Sequence, residues 1–275
     1  MTHSTRPVHG SADVPKIDIT KPNVARMYDA MLGGKDNFAA DRAAVEQLTA
    51  QMPKAPDAAR SNRAFHQRAA VWMAQHGIRQ FIDVGAGLPT RDNTHEVVKR
   101  INPGSLVVYA DNDPVVLAHA HALLADHDHG VAVIGADVRN PESILGHDTV
   151  RNLIDFNVPC GVLMTGLWHF ISDEADPQGL MARYADAVAP GSCFALAQAT
   201  ADARRPQEVQ GAIDGYAETS EGLHMRTRAQ FTAMFAGLEI LPPGVVLPHE
   251  WPDPDTPAAS PTVLWGYAAM AVKLG

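Results

Sequence analysis

Phe81-Ile82-Asp83-Val84-Gly85-Ala86-Gly87-Leu88-Pro89-Thr90 is the stretch that decides how this chain is read. Gln80 to Val84 form a short apolar run, bounded upstream by Gly77, and predict a buried strand. Gly85 and Gly87 then let the backbone turn sharply and approach a ligand with no Cβ in the way. A helical pattern begins near Asn93 and Thr94 and continues through Val97, Val98 and Ile101. A strand, a Gly-x-Gly turn and a helix N-terminus together make a nucleotide-type site.

The turn separates two nucleotide classes. A dinucleotide fingerprint needs G-x-G-x-x-G, and here Thr90 holds the third position. Instead Asp83 stands two residues before the first glycine. This D-x-G-x-G pattern resembles the first motif of class I S-adenosylmethionine (SAM)-dependent methyltransferases, in which the turn faces the carboxypropyl part of SAM. A plain strand-turn-helix, with glycines serving only the turn, is the alternative at this point.

Composition narrows the class. The 275 residues carry a net charge of -9, which argues against a broad basic face for nucleic acid. They are 46% hydrophobic, enough for a large core. Cys160 and Cys193 both fall in apolar runs and lack C-x-x-C spacing, as buried free thiols in a reducing compartment would. No apolar run approaches the roughly 18 residues of a membrane span, and the N-terminus lacks the apolar segment of a signal peptide. The expectation is a cytoplasmic protein with no membrane partner.

Residues 1–17 read as a disordered polar tail. Three helices are expected next, from Pro22 to Leu32, Asp41 to Ala50 and Ala58 to His76, forming a helical cap over 18–77. From 78 to 275 strand and helix alternate, the signature of a parallel sheet with crossover helices. The strands are expected at Gln80–Val84, Leu106–Ala110, Val131–Gly135, Gly161–Thr165 and Cys193–Ala197. A sixth is expected over Leu238–Leu241 with Val245–Leu247, and a seventh over Val263–Lys273 after a proline-rich loop. The long terminal hairpin is unlike a nicotinamide domain. It is similar to the seven-stranded class I methyltransferase sheet, order 3-2-1-4-5-7-6.

Acids recur at successive strand ends. Asp111 closes the second strand, where a carboxylate can accept both hydroxyls of a ribose. Asn112 follows it, and Asp113 reads as a helix cap or a secondary contact. Asp137 follows the third strand, ahead of Val138. In class I methyltransferases that carboxylate takes the adenine amino group and the next backbone N–H bonds a ring nitrogen. Asp83, Asp111 and Asp137 together with Gly85, Ala86 and Gly87 therefore outline a SAM site.

The resemblance then becomes more specific. Pro22-Asn23-Val24-Ala25-Arg26-Met27-Tyr28-Asp29, Leu32-Gly33-Gly34-Lys35-Asp36-Asn37-Phe38, Asn62-Arg63-x-Phe65 and His169-Phe170-Ile171 are similar to the actinobacterial S-adenosyl methyltransferase family, formerly a domain of unknown function. The resemblance covers residue 18 to the C-terminus and implies the fold, SAM as cofactor and methyl transfer, but no substrate. Thr165-Gly166-Leu167-Trp168 departs from the aliphatic run expected before His169.

The remaining candidates lie at the rim. Thr165 ends the fourth strand, and Tyr28, Asn37 and Arg63 are candidates for the methionine end of SAM, Arg63 as the partner of its carboxylate. The bland reading is that they fasten the cap. His169 is a candidate general base, or else shapes the pocket. The segment Arg204 to Arg228 is a candidate substrate lid. His119, His121, His127 and His129 read as a solvated helix end, with no metal expected, and Trp251 as a hydrophobic plug. A small-molecule acceptor fits the acidic balance. A SAM-binding protein without catalysis and a nicotinamide oxidoreductase are the competing readings.

Overall fold

The computed structural model describes residues 18–122, 130–219, 221–252 and 265–275. The expected tail at 1–17, His127, His129, most of the proline-rich loop and Val263 lie outside the described residues.

Three helices come first, α1 (Val24–Leu32), α2 (Ala39–Gln51) and α3 (Ala55–Gln75). Asn23 caps α1, its side-chain oxygen accepting from the N–H groups of Ala25 and Arg26, and Gly33 ends it in the left-handed conformation. Asp41, fully buried on α2, ties the helices together. It accepts from Arg26 Nε at 2.9 Å and from the backbone N–H groups of Asn23 and Phe38. The third helix begins earlier than the sequence pattern suggests, because Pro56 sits in its first turn, where its missing N–H costs nothing.

The sheet contains β1 (Gln80–Val84), β2 (Leu106–Asp111), β3 (Val131–Gly135), β4 (Gly161–Thr165), β5 (Cys193–Ala199), β6 (Glu239–Ile240) and β7 (Gly266–Val272). Their order is β3-β2-β1-β4-β5-β7-β6, as the resemblance implies. The first five strands are parallel, and β7 runs antiparallel between β5 and β6. The sixth strand is shorter than expected: of 245–247, only Val246 bridges to Ala268. Interleaved are α4 (Thr94–Ile101), α5 (Pro114–Ala120), α6 (Pro141–Leu145), α7 (Asp148–Leu153), α8 (Pro177–Asp186), α9 (Pro206–Gly215) and α10 (Arg228–Ala233). A Thr227–Gln230 capping box opens α10.

Alternation along each buried strand sends side chains to two cores. Ile82, Val84, Val108, Met164 and Phe194 pack under α6, α7, α8 and α10. Phe81, Val107, Tyr109, Leu163 and Ala195 pack against α3 and α4. Phe65, Ala69, Ala70 and Met73 belong to this second core, so the C-terminal half of α3 lies on the sheet. Trp251 does plug that face: it is buried, packs edge-on against Phe65 and Trp72, and its carbonyl accepts from Arg68 Nε at 2.7 Å. Cys160 and Cys193 are free and buried, and burial pushes both thiols up to about 11.

Candidate functional site

The parallel strands end along one edge of the sheet, and a cavity of about 410 Å³ opens there beneath α1, α2, α3 and α9. The size lies within the range of small-molecule sites. Of the residues singled out from the sequence, Asp83, Gly85, Ala86, Gly87, Asp111, Asn112, Asp137, Val138, Thr165, His169, Tyr28 and Arg63 all line it.

Asn37 does not line it. Its amide donates to Asp29 Oδ2 at 2.8 Å and to the Gly34 carbonyl, and its oxygen accepts from Arg42. The Asp36-Asn37 turn is folded on Asp29, which corrects the expectation that Asn37 meets the methionine end of SAM.

At the end of β1 the backbone adopts positive φ at Gly85 (68°) and Gly87 (66°), a region costly for residues with a Cβ. A Cβ at Gly85 would lie 2.9 Å from Leu167, whereas one at Gly87 would meet nothing within 4 Å. The Gly87 N–H donates to Asp111 Oδ2 at 2.9 Å. Asp111 Oδ1 accepts from the Asp113 N–H, and Asp113 caps α5 through the N–H groups of Val115 and Val116. Asp113 is thus a cap, and it also accepts from Asn23 at the start of α1. Burial pushes the Asp111 carboxyl up to about 6, against the pull of its backbone hydrogen bonds.

Asp83 sits deeper. Thr94 Oγ1 donates to its Oδ2 at 2.6 Å, and His66 Nε2 lies 3.4 Å away. His66 also contacts Thr94 Oγ1 and, through Nδ1, Thr165 Oγ1, both at 2.8 Å. A buried chain therefore runs Thr165–His66–Thr94–Asp83 across α3, α4 and two strand ends. Burial opposes charge on Asp83, but His66, Thr94 and Arg63 hold its carboxyl below the usual range. His66 is a residue that sequence reading missed. A histidine inside an alanine-rich helix gives no sign of what lies 99 residues away.

Arg63 donates to the Asp92 carbonyl at 3.1 Å, while its Nε is buried with no partner. Tyr28 donates to the Ala59 carbonyl and accepts from Asn62 Nδ2 at 2.9 Å. Asp137 is gripped by Arg139, whose NH2 lies 2.6 Å from Oδ2, and Asn112 donates to the same oxygen at 3.4 Å. Burial would raise the Asp137 carboxyl, but Arg139 keeps it below its ordinary value. Arg139, which also lies 3.4 Å from Glu221, is a second wall residue missed from sequence.

His169 stands on the short turn after β4, spanning Trp168–Phe170. Its Nδ1 accepts from the Ala199 N–H at 3.2 Å, which places the ring proton on Nε2. Burial, aided by the nearby Arg226 charge, pushes the imidazole down to about 3. A ring so weakly basic is neutral at pH 7 and poorly suited to take a proton, which counts against the general-base expectation. Arg226 is no lid residue: it is buried and donates to the Trp168 and Ile171 carbonyls and to Asp173, clamping this turn. Tyr216, by contrast, does line the cavity. Among the described residues no cluster of metal ligands occurs.

The wall fits the expected cofactor by its own chemistry. It offers acceptors for hydroxyl and ammonium groups at three strand ends, a glycine turn open to close approach, and a buried guanidinium Nε lacking a partner.

Comparison with known proteins agrees. The chain is similar to a solved Thermobifida fusca YX protein provisionally assigned as a methyltransferase, with 38% identity, 97% of this chain and 100% of that chain covered, and a TM-score of 0.88. It is also similar to a DUF574-family protein from Streptomyces avermitilis MA-4680, with 36% identity, 92% and 98% covered, and a TM-score of 0.86. No curated protein matches the chain. The profile of the S-adenosyl methyltransferase family matches residues 11–274. With that match across the sequence and the seven-stranded sheet beneath it, this chain belongs to the S-adenosyl methyltransferase family and is a SAM-dependent methyltransferase.

Proposed function

We infer that the protein methylates a small molecule held inside the cavity, between the strand ends and the helical cap. The observation that carries this reading is the roof. Tyr28, Met31, Leu48, Met52 and Ala59 from α1, α2 and α3, with Ala212 and Tyr216 from α9 and its end, wall the same cavity as the strand-end acids. A space enclosed this way suits a small acceptor, and the net charge of -9 suits neither nucleic acid nor a broad acidic surface.

In this reading Gly85, Ala86 and Gly87 approach the methionine part of SAM and the Arg63 guanidinium pairs with its carboxylate. Asp111, with Asn112 beside it, accepts from the ribose hydroxyls. Asp137 and the backbone at Val138 meet adenine, with Arg139 sharing the Asp137 carboxylate. Thr165 is held by His66 at the β4 end, and Tyr28 closes the cap side. SAM supplies a methyl group on a sulfonium sulfur, open to in-line attack by an acceptor lone pair. The chain's part is then to align and to exclude water, an effect that does not need a base. His169, neutral and carrying its proton on Nε2, fits a hydrogen-bond donor to the acceptor. The buried free thiols are in keeping with a cytoplasmic location.

The test is calorimetric titration with SAM of the wild type and of Asp111→Ala, with NADH as control, followed by an acceptor screen that reads S-adenosylhomocysteine release. Micromolar SAM binding lost in Asp111→Ala, and turnover with a small acceptor, support the reading. Turnover only with a macromolecule would overturn it.

A further inference from the structure

The cavity is two-sided. Its formally charged lining residues, Arg63, Asp83, Asp111, Asp113, Asp137, Arg139 and Glu221, gather around the ends of β1, β2 and β3. The other side carries none. There Met31, Leu48, Met52, Ala59, Ala212 and Trp265 line the cavity and belong to one continuous apolar cluster joining α1, α2, α3 and α9 to the segment before β7. Alanines on the facing helices leave room, and methionines supply flexible, polarizable walls that adapt to a flat or irregular guest.

Uncharged polar side chains also line the cavity, Tyr28, Ser61, Asn62 and Tyr216 among them, and one more, Gln198, has its whole carboxamide left bare. Gln198 lies near the end of β5, is 3% exposed and lines the cavity, yet its Oε1 and Nε2 are both buried with no hydrogen-bond partner. Its backbone carbonyl approaches β7 so closely that a Cβ on Gly266 would lie 2.9 Å from it. A buried carboxamide left bare is costly, and its presence calls for a partner.

Resting on the methyl-transfer reading, we propose that the acceptor is an uncharged, predominantly apolar small molecule seated against the cap cluster, with its one polar group hydrogen-bonded by the carboxamide of Gln198. An ionised acceptor would leave water for a wall whose lining residues carry no formal charge, whereas a hydroxyl or amine finds both a donor and an acceptor on one side chain.

The experiment uses the full chain saturated with S-adenosylhomocysteine and titrates it with phenol, 2-naphthol, 4-phenylphenol, 2-naphthoate and 2-methylnaphthalene. At least one neutral phenol is expected to bind, with 2-naphthol at least about tenfold tighter than 2-naphthoate. Gln198→Leu is expected to weaken 2-naphthol by about five- to tenfold, to leave 2-methylnaphthalene unchanged, and to keep S-adenosylhomocysteine affinity within about twofold. The inference is overturned if no neutral phenol binds, if 2-naphthoate binds as well as 2-naphthol, or if Gln198→Leu weakens both naphthalenes equally. Failure of S-adenosylhomocysteine itself to bind would overturn the cofactor reading, and this inference with it.

Discussion

Asp111 accepts a hydrogen bond from the Gly87 backbone N–H at 2.9 Å, so one carboxylate joins the end of β2 to the turn after β1. The group expected to hold ribose therefore also sets the shape of the glycine turn. Its two roles become separable through its titration.

Burial places the Asp111 carboxyl at about 6, so it loses its charge on mild acidification. If SAM binds the ionised form, its dissociation constant should rise about tenfold between pH 7.5 and pH 5, as one proton must then be released on binding. Calorimetry at four pH values measures this, and a flat profile would separate Asp111 from the ribose. The stability sign is opposite. The folded carboxyl binds its proton more tightly than the unfolded one, so this group's contribution declines as pH rises from about 4 to about 6.

Asp83 behaves the other way. Its folded carboxyl is held below the ordinary value of 3.8, so its stabilisation is present above that value and is lost as pH falls through the lowered one. His66→Leu removes the ring that touches Asp83, Thr94 and Thr165 and leaves the carboxylate buried. A loss of about 2–4 kcal/mol at pH 7, read by urea unfolding, is expected. An unchanged midpoint would mean that the chain of contacts contributes no stability.

With its proton on Nε2 and its pKa pushed down to about 3, the His169 ring should not titrate above pH 5. Nitrogen-15 correlation spectra of the imidazole should show an unprotonated Nδ1 throughout pH 5–8. Once an acceptor is known, His169→Asn should keep kcat within about tenfold of wild type, where loss of a true general base costs about 10²–10⁴. A ring that titrates near 6.5 would restore the base role.

Asp41 is fully buried and is the counter-charge of Arg26, which is 3% exposed. Asp41→Ala would leave the guanidinium without its carboxylate and three donors without their acceptor. Destabilisation of about 3–5 kcal/mol is expected, seen as a fall in the thermal midpoint. A shift of under one degree would show that the helices stay docked without this junction.

Much of this architecture is written in local pattern. The parallel strands announce themselves as short apolar runs, and Asp83, Asp111 and Asp137 are legible because an acid at or just after a strand end is a local feature. The sheet order followed from the resemblance of the terminal hairpin to the class I methyltransferase sheet. What stayed hidden depends on distant partners. His66 and Arg139 look like ordinary helix and loop residues until Thr165 and Glu221 come to meet them. Asn37 failed as a site residue for the same reason in reverse: a polar turn reads as a ligand contact until Asp29 and Arg42 are seen to fill its hydrogen bonds. The helix α9 within 204–228 was missed because its pattern is short and glycine-interrupted.

The third helix carries Ala55, Ala58, Ala59, Asn62, Arg63 and His66 along one cavity face, while its far half is locked into the sheet core. One rigid rod thus faces the apolar chamber with its first turns and the charged end with the next. Thermodynamic reciprocity then requires that whatever a cofactor at one end does to an acceptor's affinity through this backbone, the acceptor does by the same factor to the cofactor's.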